Sequence, residues 1–109
     1  MIVAVPVTPG GDVDRRWGKA NQVAIAEVSG GVVQIWQVHD TDWQRLHDEG
    51  PHGTHHGRIV RFLRDNGVEA VVINHAGPPM LNTMRKLGLT IVAGASGPAR
   101  EAVLLAPRA

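Results

Sequence analysis

The sequence predicts an α/β fold built on a mainly parallel sheet, and three observations carry that reading. Residues 2–7, Ile-Val-Ala-Val-Pro-Val, form a continuous apolar run of the kind buried on both faces of a sheet. Two strand-like runs meet at Ser29-Gly30-Gly31, whose glycines supply the positive φ angles that a tight hairpin needs. From residue 54 onward, helical periodicity and short apolar strands alternate, which is the grammar of parallel βα units.

The elements follow in order. Residues 2–7 are a central first strand, with Pro6 near its end where a missing N–H is tolerated. Residues 8–21 contain Pro9-Gly10-Gly11 and show no periodicity, so they are a long loop leaving the carboxyl end of that strand. Residues 22–28 and 32–39 are the hairpin strands. The second places Gln34 and Gln37 on opposite faces, as a partly solvated edge strand would. Residues 40–53 are a polar, histidine-bearing connection. Thr54 is then the expected N-cap of a helix carrying Ile59, Phe62 and Leu63 on one face and stopped by Asn66-Gly67. Residues 68–73 are a buried strand. Pro78 or Pro79 opens a second helix with Met80, Leu81, Met84 and Leu87 inward, closed by Gly88. Residues 89–93 are the last strand, and Gly97-Pro98 starts a third helix through Leu105. Right-handed crossovers then give a five-stranded sheet of order 3-2-1-4-5 with only the second strand antiparallel, three helices in layers around it, and an RNase H-like arrangement. The carboxyl ends of strands one, three, four and five open on one edge, where such sheets bind ligands.

Composition narrows the function. A chain of 109 residues with 43% hydrophobic and 19% charged residues reads as one globular domain, residues 1–109. Eleven basic residues against ten acidic ones leave a net charge of +1, too little for a phosphate-backbone binder, so nucleic acid is not expected as a partner. No run reaches membrane-spanning length, and the apolar start is too short for a signal peptide, so the expected location is cytoplasmic and the expected state a monomer or homodimer. There is no cysteine, so any metal held by this chain alone has nitrogen or oxygen ligands.

Six histidines are the outstanding feature, five of them between His39 and His56. His52, His55 and His56 cluster before or in the first helix, His39 and His47 precede them, and His75 ends the fourth strand after Asn74. Neutral imidazoles suit Fe, Cu, Zn or Ni, although no His-Glu-x-x-His spacing occurs. His39, His52, His55, His56 and His75 are therefore the candidate metal ligands. Arg15-Arg16-Trp17-Gly18-Lys19 concentrates cations and an indole in the first loop, where Arg15, Arg16, Trp17 and Lys19 are placed to clamp an anion. Gly77-Pro78 and Gly97-Pro98 each precede a helix, so the backbone N–H groups exposed at Gly77 and Gly97 are further candidates for anion binding, and Asn74, paired with His75 at the strand end, is a further cofactor-binding candidate.

The strand of residues 2–7, the loop ending Arg16-Trp17-Gly18-Lys19-Ala20 and the paired Gly-Pro turns resemble, over nearly the whole chain, the dinitrogenase iron-molybdenum cofactor family. That resemblance implies an RNase H-like fold and a nitrogenase-accessory role: a carrier of the iron-molybdenum cofactor or of an iron-sulfur precursor, exchanging it with a donor or acceptor protein. The family's first loop carries a His-Phe-Gly segment whose histidine is implicated in cofactor binding, whereas Arg16-Trp17-Gly18 stands here. The family also commonly has glycines where this chain has Asn74-His75. The expected site is consequently rebuilt around His52, His55, His56 and His75. A second reading is a small metalloenzyme whose three histidines leave an open position for an anionic small molecule. Two-metal nuclease chemistry is not expected, because the first strand carries no carboxylate.

Overall fold

The computed structural model describes residues 1–109 except Pro51 and the side chain of His52. Five strands form one mixed sheet: β1 (Ile2–Pro6), β2 (Gln22–Ser29), β3 (Val32–Asp40), β4 (Ala70–Val72) and β5 (Thr90–Val92), in the order β3-β2-β1-β4-β5. β2 runs antiparallel to both β1 and β3, while β1, β4 and β5 are mutually parallel, as the sequence implied. The β2–β3 turn has Ser29 opposite Val32, with Gly30 and Gly31 between them at φ 61° and 76°. Positive φ at both central residues matches the right-handed twist of the strands it joins.

Strand parity divides the core in two. Val3, Val5, Ala24, Ala26, Ala70 and Val72 face one side, where Ala99, Ala102, Val103 and Ala106 of the C-terminal segment cover them. The many alanines let that segment lie close to the sheet. On the other side Ala4, Val23, Val71 and Ile73 meet the long helices α2 (His52–Asp65) and α3 (Pro78–Lys86). Ile59 and Leu63 from α2, with Met80 and Met84 from α3, complete that layer. Both helices end in a six-to-one backbone bond, Val68 N–H to Leu63 O and Leu89 N–H to Met84 O, turned by Gly67 and Gly88 at φ 63° and 75°.

Three elements differ from the sequence expectation. The connection after β3 contains a short helix, α1 (Trp43–Asp48), entered through Asp42 in the left-handed region at φ 54°. Helix α2 begins at His52, so Thr54 lies inside it and is not its N-cap. The C-terminal helix is α4 (Ala99–Ala102) for one turn and then tightens to a 3-10 segment, Val103–Arg108, which contains Pro107.

Candidate functional site

The first loop is stitched to both neighbouring strand exits. Val13 N–H donates to Gly97 O, and Asp14 N–H donates to Pro6 O. Arg16 pairs with His75 in a parallel bridge beyond the end of β4. Asp14, only 9% exposed, turns its carboxylate back to accept from Arg16 N–H at 2.9 Å and from Arg16 Nε at 3.5 Å. The loop is thereby fixed against the carboxyl edge of the sheet, and Arg16 and His75 lie side by side.

A cavity of about 320 Å³ opens at that edge. One wall is the first loop, with Arg15, Arg16, Trp17 and Lys19; the other comprises His55, His56 and Ile59 of α2. His75, Ala76 and Gly77 close it at the β4–α3 turn, and His47 reaches it from α1. Such a volume lies at the small end of ligand pockets. Its described lining holds three cations and four imidazoles, and no carboxylate.

Trp17 anchors the loop wall of the cavity in the core. It is 2% exposed, its ring meets Trp43 edge-on at 5.2 Å, and Trp43 in turn meets Phe62 at 5.4 Å. The Trp17 Nε1–H is buried without a hydrogen-bond acceptor among the described residues. A buried donor without a partner costs free energy, and native structures leave few of them. Trp17 therefore brings an unsatisfied N–H to the loop that walls the cavity.

His55 has a different task from the one its sequence neighbourhood implied. It is 2% exposed, and its Nε2–H donates to Gly18 O at 2.7 Å while Arg58 Nη1 donates to its Nδ1 at 2.9 Å. A carbonyl only accepts and a guanidinium only donates, so these partners fix the neutral Nε2–H tautomer. Burial pushes its pKa below the ordinary 6.5, outweighing the opposing effect of the Gly18 carbonyl, and the nearby Arg58 charge acts in the same direction as burial. With one nitrogen protonated and the other accepting from Arg58, His55 has no free lone pair for a metal. It ties α2 to the first loop instead.

The remaining candidates divide clearly. His56 and His75 line the cavity, as do Arg15, Arg16, Trp17, Lys19 and Gly77. His39 does not: it projects from β3 onto the α2 side, its ring edge-on to Phe62 at 5.5 Å. Asn74 is also away from the lining, its Nδ2 donating to Ala95 O at 2.9 Å and so joining the exits of β4 and β5. Gly97 borders a separate hollow with Thr8 and Asp12. The side chain of His52 lies outside the described residues. Among the described residues no group of three or more His, Cys, Asp or Glu is arranged to hold a metal ion.

The amide expectation also changes at both turns. In α3 the first two helical residues are Pro78 and Pro79, which have no N–H to offer. At the other turn Pro98 lacks an N–H, and the Ala99 N–H is already donated to Gly11 O. The first helical amides at these turns are therefore missing or committed, which shifts weight to the side chains of the cavity wall. The sequence grouped His47 with the other histidines at this edge but gave neither the helix that carries it nor a place among the candidate ligands; Trp43 and Leu46, spaced i and i+3 in a polar stretch, were the available signal for α1.

The family model for dinitrogenase iron-molybdenum cofactor matches residues 1–106. The chain belongs to that family. Three solved structures share its fold. The crystal structure of PH0822 aligns at TM-score 0.75 and 21% identity, covering 95% of this chain and 88% of that one. The apo form of the orange protein from Desulfovibrio gigas gives TM-score 0.75 and 20% identity, covering 95% and 84%. The NMR structure of Thermotoga TM1290, a NifB candidate of the DUF35 family, gives TM-score 0.69 and 21% identity, covering 98% and 87%. At these identities the likeness is one of fold. A search of curated proteins returned no match. No described helix is long and apolar enough to cross a membrane.

Proposed function

We propose that this family member binds an anionic metal-sulfur cluster, of the iron-molybdenum or iron-sulfur type, as a cargo in the cavity between the first loop, α2 and the β4–α3 turn. The observation that carries the reading is the composition of that wall: Arg15, Arg16 and Lys19 with four imidazoles, and no carboxylate among the described lining residues. The fixed positive charge of such a surface disfavours a bare divalent cation despite its imidazoles, whereas a negatively charged cluster is attracted by it. Without cysteine, the chain supplies no thiolate anchor, so the cluster keeps its own sulfides and the protein holds it by charge, by N–H donation and by imidazole. Arg16 and His75, joined by their backbone bridge, form one jaw; His56 faces them from α2. The Trp17 Nε1–H is the donor that a sulfide would satisfy. The alternative of a three-histidine metalloenzyme draws no support from the described residues, which contain no such ligand group.

The test is anaerobic reconstitution with iron, molybdate and sulfide, followed by desalting, metal analysis and a visible spectrum. Wild type retains coloured, metal-bearing cargo and does not retain iron(II) supplied alone. Arg16→Glu with Lys19→Glu abolishes retention, while His56→Ala with His75→Ala reduces it. Failure of wild type to retain metal, or full retention by the charge-reversed variant, defeats the reading.

A further inference from the structure

Helix α2 presents a second surface that the cavity does not use. Ile59 and Leu63 face the core, and the opposite arc carries Thr54, Gly57, Arg61, Arg64 and Asp65, with Arg58 on its flank. Arg61 and Arg64 are exposed, and no ion pair among the described residues involves either of them. Thr54, Gly57, Arg58 and Arg61 border a groove along the helix. Gly53 and Gly57 are unusual residues for a helix, since each weakens it relative to alanine. Neither has a positive φ, and a Cβ added at either would meet nothing within 4 Å. Among the described residues no contact or backbone conformation calls for glycine there.

We propose that this face of α2 docks an acidic segment of a partner protein. Three guanidiniums from Arg58 to Arg64 span about 9 Å along the axis, the reach of carboxylates on successive turns of a helix or along a short extended strand. Gly57 leaves the floor open so that the partner backbone can approach. Nucleic acid would need a longer basic track than three arginines on a chain whose net charge is +1. The position is pertinent as well: Arg58 donates to His55, and His55 lines the cavity, so a docked segment stands one side chain away from the cargo. The partner is then the protein that delivers or collects the cluster, a clause that rests on the cargo reading, whereas docking itself does not.

Fluorescence anisotropy with a fluorescein-labelled ten-residue Asp/Glu peptide tests the surface. Its controls are the matching Asn/Gln peptide and a ten-nucleotide oligo-dT. Wild type binds the acidic peptide more tightly than either control, and raised salt weakens the complex. Arg61→Glu with Arg64→Glu weakens binding by about tenfold or more, as loss of two charge pairs should. Gly57→Leu weakens it comparably while the melting temperature stays level or rises, which separates blocked access from unfolding. Equal binding of the Asn/Gln peptide, tighter binding of the oligonucleotide, or unchanged affinity in either variant overturns the proposal. The Arg61/Arg64 variant should retain reconstituted metal as wild type does, because neither residue lines the cavity. If wild type retains no metal but binds the peptide, the cargo reading fails and the docking surface stands.

Discussion

Replacing His55 by leucine should destabilise the protein by about 2–3 kcal/mol, and the figure follows from what the imidazole holds. Its bond to Gly18 O, at 2.7 Å, links residues 37 apart in sequence and is net worth about 1 kcal/mol. Leucine leaves that part-buried carbonyl without its partner, adding roughly 1–2 kcal/mol of desolvation. Loss of the Arg58 contact adds little, because the half-exposed guanidinium recovers water. For a chain of this size the sum lowers Tm by about 10 °C. Urea denaturation at pH 7.5 should show the midpoint falling with m unchanged, since the surface exposed on unfolding is the same. His55→Gln, whose amide can still donate to Gly18 O, should recover about half of the loss. A loss under about 0.5 kcal/mol for the leucine variant would refute the argument that His55 ties the first loop to α2.

Three further outcomes follow from the same geometry. Because burial holds the His55 pKa below 6.5, the unfolded chain binds the extra proton first. Its contribution to stability is therefore complete above pH 6.5 and is lost as pH falls through the lower folded value; a stability–pH profile of wild type should slope downward there, and His55→Gln should flatten it. Gly67→Ala forces a Cβ into a left-handed helix stop and should cost about 1 kcal/mol by denaturant titration, because the residue sits at φ 63°. His75→Ala removes an exposed side chain, so its stability should match wild type within about 0.5 kcal/mol while metal retention falls.

Much of the architecture was legible because apolar runs and turn residues agree along the chain. The run 2–7, the Gly30-Gly31 hairpin and the glycine stops at Gly67 and Gly88 each had one interpretation, and together they fixed the sheet order. Helix α1 was not legible: it is six residues long, starts from Asp42 without a side-chain cap bond, and owes its place to Trp43 buried against Trp17 and Phe62. That contact joins segments far apart in sequence, which local periodicity does not register. The C-terminal 3-10 segment is likewise a tertiary outcome, since Val103 and Ala106 are buried on the sheet in a segment that also contains Pro107.

The site was legible as a place more than as a set of roles. Parallel strand exits brought Arg16, His56 and His75 to one cavity as the topology implied. Which imidazole nitrogens remain available depended on Gly18 O and Arg58, and residue type does not reveal such partners. Two placements could have been read from sequence. Pro78-Pro79 removes the first two amides of the helix start, and His39 stands on β3, the outermost strand of the sheet, two strands away from β1, where its ring packs on Phe62.

The most direct measurement is an anomalous-scattering map of the protein crystallised anaerobically after reconstitution with iron, molybdate and sulfide. Metal peaks are expected inside the cavity, bounded by Arg16 and His75 on one side and His56 on the other. Peaks confined to other surfaces, or an ordered cavity holding solvent alone in crystals of metal-bearing protein, would contradict it.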